Sequence, residues 1–334
     1  MDQNNISVNN SNISAMKNVK VLLCPTFEIA TEEAKKYSRF ATVEAEYGDK
    51  VVTGSSNMGS WASLAHHGSR STNPAPCCWN LLGAGNVSPI LPEVILVSHI
   101  DLDTLGGIGL LLGYFNADEQ EFWNSAALID VKGPHHIEEV PEGARAQLRA
   151  FWGWNEQRRS HRFARDVVTD VTELVAENFS VLDRIVKNDA DLIAAGQAWN
   201  ERVTAAVESC LVYESEKVRA FCGGLFTASS YLGSDGSIRV ATVSLNTKTH
   251  AVTLAFEDGG DDVKNAAAIL QSIFGSEAGG RAGIAGTPRG KIYDVRDLVN
   301  VIERVELLLD PDALASAKQA AKLGLRWGIE YPGE

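Results

Sequence analysis

The stretch that most constrains this chain is V-I-L-V-S-H-I-D-L-D-T-L-G-G, residues 94–107. Its opening apolar run, rich in Val and Ile, is too short for a core helix and reads as a buried parallel strand. The run breaks into His99, Asp101 and Asp103, then Gly106 and Gly107. A tight turn and a helix from about Gly106 to Phe115 are expected there. The carboxyl end of such a strand, just before a helix, is where open α/β sheets place ligands. Alternation along extended backbone would turn the three polar side chains to one side. One imidazole with two carboxylates suits a divalent cation of the Mn, Mg or Zn kind. Against this, an Asp after a strand commonly caps the next helix, and a His in a turn is commonly just solvated.

Other histidines gather near similar breaks. L-A-H-H-G-S-R-S-T-N-P-A-P-C-C-W, residues 64–79, is interrupted by Gly68, Pro74 and Pro76 and reads as a loop. Its His66, His67 and Arg70 suit a functional loop, although part-buried structural histidines account for it equally well. A-A-L-I-D, residues 126–130, reads as a second strand delivering Asp130, and His135 and His136 follow Gly133 and Pro134. Five of the seven histidines thus fall in three clusters within the first 136 residues.

The 334 residues, 45% hydrophobic and 22% charged, suffice for two domains of ordinary globular composition. A formal charge of −13 would repel long duplex nucleic acid but leaves room for a small anionic substrate held by a metal. Five cysteines without C-x-x-C spacing argue against a disulfide scaffold and fit a reducing compartment. No apolar run has the length of a membrane helix, so no membrane partner and a cytoplasmic location are expected.

Residues 1–17, rich in Asn and Ser, read as a flexible tail. From Gly143 to about Ser215 the spacing is helical. A basic island within it, Arg158, Arg159, His161, Arg162 and Arg165, reads chiefly as a solvated face. Ile238–Asn246 and Ala251–Phe256 alternate as neighbouring strands, and Val263–Phe274 as an amphipathic helix. The Gly-dense stretch 275–290 follows, with Arg281 and Arg289 as its cations. Such density implies close backbone approach or exposed N–H groups for an anion, but no P-loop spacing is present.

Two motifs together carry a family resemblance. H-I-D-L-D (99–103) followed by Gly-Gly resembles the first motif of the DHH phosphoesterase superfamily. G-G-R-A-G-I-A-G (279–286) is similar to the Gly loop of the associated C-terminal domain, with Arg281 where His is usual. The family's contiguous Asp-His-His corresponds here to Asp130 and His135-His136, four residues apart. The implied fold is α/β: a larger N-terminal domain with a mainly parallel sheet (18–150), a helical connector (151–218) and a smaller α+β C-terminal domain (219–334). The implied activity is metal-activated hydrolysis of a small phosphorylated substrate: a short oligonucleotide, cyclic dinucleotide, nucleotide or polyphosphate. His99, Asp101, Asp103, Asp130 and His135 or His136 would hold one or two Mn²⁺ ions, with Mg²⁺ the alternative and Zn²⁺ behind both. His66 and His67 would complete the ligand set, and His136 would join the catalytic group. Gly279, Gly280, Arg281, Arg289 and Arg70 would bind the substrate. A homodimer is compatible with this reading. A catalytically lapsed nucleotide binder and a metal-dependent amidase or deacylase are the alternatives.

Overall fold

A computed structural model describes residues 19–45, 47, 50–55, 62–66, 74–77, 91–114, 119–156, 167–223, 228–288 and 291–310. His67, Arg70, Arg289, the basic island and the expected N-terminal tail lie outside them. The fold is α/β, with two sheets in two units. The first unit takes the chain to Val131 and then Glu139–Trp199; the second comprises Lys132–Glu138 and the chain from Asn200 on.

In the first unit, β1 (Lys20–Leu23), β2 (Phe40–Val43), β3 (Ala62–Leu64), β4 (Val94–Val97) and β5 (Thr169–Asp170) form a sheet ordered β3-β2-β4-β1-β5. All its pairings are parallel except β1 with β5. β2 and β4 are buried throughout, as strands covered on both faces must be. Leu22, Phe40, Val94 and Leu96 pack with Ala30 and Ala34 of α1 (Phe27–Ala34). The opposite face, including Val43, meets α2 (Leu102–Leu112).

Three expectations fail here. α2 begins at Leu102, so Gly106 and Gly107 lie inside a helix and not in a turn. Their purpose is space: a Cβ on Gly107 would stand 2.5 Å from Val43 Cγ1, and one on Gly106 would stand 2.2 Å from Cys77 Cβ. Residues 126–130 belong to helix α3 (Gln120–Lys132), not a strand. Its buried Phe122, Ser125, Ala126 and Ile129 follow helical spacing, a pattern hidden when only the last five residues are weighed. The helical stretch beyond is also interrupted. α4 (Glu142–Glu156) precedes β5, then come α5 (Thr172–Val186) and α6 (Ala190–Ser209).

In the second unit, β6 (Leu211–Glu214), β7 (Val218–Gly223), β8 (Ala241–Asn246), β9 (Ala251–Phe256), β10 (Gly279–Gly280) and β11 (Ile284–Gly286) build a sheet ordered β10-β11-β9-β8-β7-β6. α7 (Ala266–Phe274) and α8 (Val295–Leu309) supply Leu270, Val301 and Val305 to a core shared with Val218, Val243 and Leu254. Among the described residues, no helix is long and apolar enough to cross a membrane.

Candidate functional site

The parallel register determines which residues meet at the carboxyl edge of the first sheet. Val43 lies opposite both Leu64 and Val97, so the chain leaves β2, β3 and β4 side by side. The residues that follow are Glu44, Ala65-His66 and Ser98-His99. Glu44 donates its N–H to Leu64 O at 2.8 Å, and the Ser98 hydroxyl donates to Glu44 O. Two helix ends complete the group: Asp103 from the first turn of α2 and Asp130 from the last turn of α3.

Ligand atoms of Glu44, His66 and Asp103, all buried, lie within 4.8 Å of one another. His66 Nε2 stands 2.8 Å from Asp130 Oδ2 and 3.3 Å from Asp103 Oδ2. The other oxygen of Asp103 accepts the N–H of Cys77 at 2.7 Å, which holds the carboxylate in place. Burial disfavours a charged His66, but Asp103 and Asp130 outweigh it and raise its pKa to about 10. One imidazolium carries a single positive charge against three carboxylates. Glu44 occupies this position with φ +46°, left-handed backbone that costs a non-glycine residue about 1–2 kcal/mol. An observed outlier of this kind at a buried carboxylate is itself a pointer to function.

This group fits a hard divalent cation. Asp103 Oδ2 and Asp130 Oδ2 are buried without a directed hydrogen bond among the described residues, though both are at ion-pair distance from His66. Adjacent ligands of an octahedral ion bound at about 2.1 Å stand roughly 3 Å apart, comparable to those two spacings. A donor set of carboxylates with one imidazole favours Mn²⁺ or Mg²⁺ over softer ions.

His99 and Asp101 form a second, half-exposed pair, Nε2 to Oδ2 at 3.1 Å. The expected alignment of His99, Asp101 and Asp103 on one side does not occur. The strand ends at Val97, and Asp103 is already helical, so it turns into the buried group while the other two face each other. Asp101 is also a helix cap, accepting the Thr104 N–H at 2.8 Å. The Ser98 hydroxyl, whose proton goes to Glu44 O, lies 2.8 Å from His99 Nδ1 and so accepts from it. Both ring nitrogens of His99 therefore face an oxygen that can accept a proton. Burial opposes a charged ring, but Asp101 outweighs it and, with lesser help from Glu44 and Asp130, lifts the His99 pKa. Burial likewise works against the Asp101 carboxylate, yet His99 and Thr104 hold its pKa below the ordinary value.

No family model matches the sequence, and no curated protein matches it either. Among solved structures, a pGpG-specific phosphodiesterase, PggH from Vibrio cholerae, is similar at 10% identity and a TM-score of 0.38, over 82% of this chain and 99% of that one. An uncharacterized protein from Helicobacter pylori G27 is similar at 13% identity and a TM-score of 0.21, over 75% of each chain. Neither superposes closely enough to bear on chemistry.

The remaining expected residues that the structure describes lie in the second unit. His135 and His136 occupy a 3-10 turn, Pro134–Glu139, and face Glu257. Gly279 and Gly280 form β10, and the Arg281 N–H donates to Ile284 O at 2.7 Å to close the hairpin. Glu44 was not among the expected ligands. The signal that could have found it is the one that marked His99, a polar residue directly after a buried apolar strand, here F-A-T-V-E.

Proposed function

We propose that the chain is a metal-dependent phosphoesterase acting on a small phosphorylated substrate. The observation that carries this reading is the group of buried Glu44, His66 and Asp103, with half-buried Asp130 against His66, at the carboxyl edge of the parallel sheet. These four residues would hold Mn²⁺ or Mg²⁺. Such an ion, when bound, lowers the pKa of water and offsets charge on a phosphoryl oxygen. His99, half-exposed beside Asp101, would in its imidazolium form give the Nε2 proton to a leaving oxygen. Asp101 keeps that proton available by holding the imidazolium, and Thr104 N–H holds Asp101. Cys77 N–H fixes the Asp103 carboxylate, so the ligand does not have to reorganise during turnover. Arg281, beside the exposed Gly279 and Gly280, is the proposed anion contact of the second unit. The net charge of −13 favours a short oligonucleotide, cyclic dinucleotide or nucleotide over a long duplex.

The test is hydrolysis of bis-p-nitrophenyl phosphate and of short oligonucleotides with Mn²⁺. Turnover is expected in the wild type, with a loss of at least about a hundredfold, or roughly 2.7 kcal/mol, in Asp103→Asn. A folded preparation that turns over none of these substrates with any divalent metal would sink the proposal. One observation favours a second reading, a lapsed nucleotide binder: His66 pairs with both aspartates and can partly balance them without a metal. Retention of no Mn²⁺ after soaking and desalting would favour that reading.

A further inference from the structure

We infer that the second unit carries its own site for a borderline divalent cation of the Zn²⁺ class, built from His135, His136 and Glu257. This goes beyond the proposed hydrolysis and shares no ligand with the group around His66. Ligand atoms of the three residues lie within 4.8 Å of one another, and all three are half-buried. Two imidazoles and one carboxylate form a three-ligand set with room for a fourth, the pattern of open zinc sites. The donors are also softer than the carboxylate-rich set of the first unit, so the two sites should prefer different metals.

Three features place His135 for this role. Its Nε2 contacts the backbone carbonyl of Glu257, so that nitrogen carries the proton and the lone pair resides on Nδ1. A metal-bound histidine is ordinarily oriented by such a contact from its other nitrogen. The ring is braced between His136 and Tyr231, each with its centroid 4.3 Å away, and Tyr231 is buried. Gly133 lies beside the ring with φ +99°, and an added Cβ would come within 3.0 Å of Nδ1 and 2.8 Å of Cε1. Only glycine adopts that backbone without crowding the imidazole. Glu257 follows directly on β9, and among the described residues its carboxylate has no ion-pair partner. A bound ion would tie the Pro134–Glu139 turn to the end of β9.

The experiment uses the full chain carrying Asp103→Asn, so that the first group is disabled, stripped with chelator and titrated with Co²⁺. Visible d–d absorption reports Co²⁺ in a protein site, and Zn²⁺ should displace it. Loss of an outer-shell partner alone weakens metal binding about 10–100-fold. Adding Glu257→Gln or, separately, His136→Gln should therefore weaken Co²⁺ binding by at least about tenfold, with circular dichroism unchanged. The two variants are independent, so misfolding of one leaves the other decisive. Absorption and affinity unaltered by either substitution would overturn the inference, as would no Co²⁺ site at all in the Asp103→Asn chain. The phosphoesterase proposal fails by a different result, no turnover by the folded wild-type chain with any divalent metal.

Discussion

Glu44 concentrates two costs at one residue: a left-handed backbone and a buried carboxylate. Glu44→Ala and Glu44→Gly both remove the carboxylate, but only glycine relieves the backbone. Glu44→Gly should be the more stable by about 1 kcal/mol in urea denaturation, with both variants losing Mn²⁺-dependent activity. Equal stabilities would show that φ +46° carries no strain. His66 makes a second residue-scale prediction. Its folded pKa of about 10 lies above the ordinary 6.5, because Asp103 and Asp130 outweigh the opposing burial. In metal-free protein the resulting stabilisation is complete below pH 6.5 and disappears as pH rises through about 10. The melting temperature in EDTA should fall across that window, and the slope should flatten in His66→Gln. With Mn²⁺ the trend should weaken, since a metal takes the neutral imidazole that high pH supplies. An EDTA melting temperature that stays level with pH would remove the assignment.

Among the elements, α2 does most to place the candidate site, since its first turn carries Asp103 and its cap is Asp101. Gly107 sets how closely that helix approaches β2. In an exposed helix Gly→Ala gains about 1 kcal/mol. At Gly107 the new methyl would meet Val43 Cγ1 at 2.5 Å and Pro76 Cβ at 2.9 Å, a clash that overpacking costs put at about 1–3 kcal/mol. Gly107→Ala should therefore destabilise the protein, against the helix-propensity rule, and should weaken Mn²⁺ binding because Asp103 moves with the helix. A rise in the urea midpoint would show that the helix shifts without cost. The second unit's β10–β11 hairpin uses glycine for the same reason. At Gly280, φ is +150° and a Cβ would stand 2.4 Å from Ile284 O, which together exclude a side chain.

At the scale of the molecule, the first sheet gathers ligands through its parallel edge, while the second offers a separate His-His-Glu set. An ion held at 100 times its Kd stabilises the unit that binds it by about 2.7 kcal/mol. Hydrogen exchange with excess Mn²⁺ should accordingly slow at β2, β3 and the start of α2, with β8 and β9 unchanged. Uniform slowing, or none, would refute a Mn²⁺ site confined to the first group. The sequence by itself determined the strands whose signal is local: V-I-L-V, and the alternating pair that became β8 and β9. It also marked His66, Asp103 and Asp130 as chemically notable, because polar residues beside apolar runs stand out in one dimension. It misread residues 126–130, where a short apolar run fits strand and helix equally until Phe122 and Ser125 are counted. Tertiary structure alone decided which of these groups meet. Strand order β3-β2-β4 sets Glu44 beside His66, and the early start of α2 separates Asp103 from His99 and Asp101. Periodicity records which face a residue takes on its own element, whereas a site depends on register and order between elements, and those follow from the packing of the whole core.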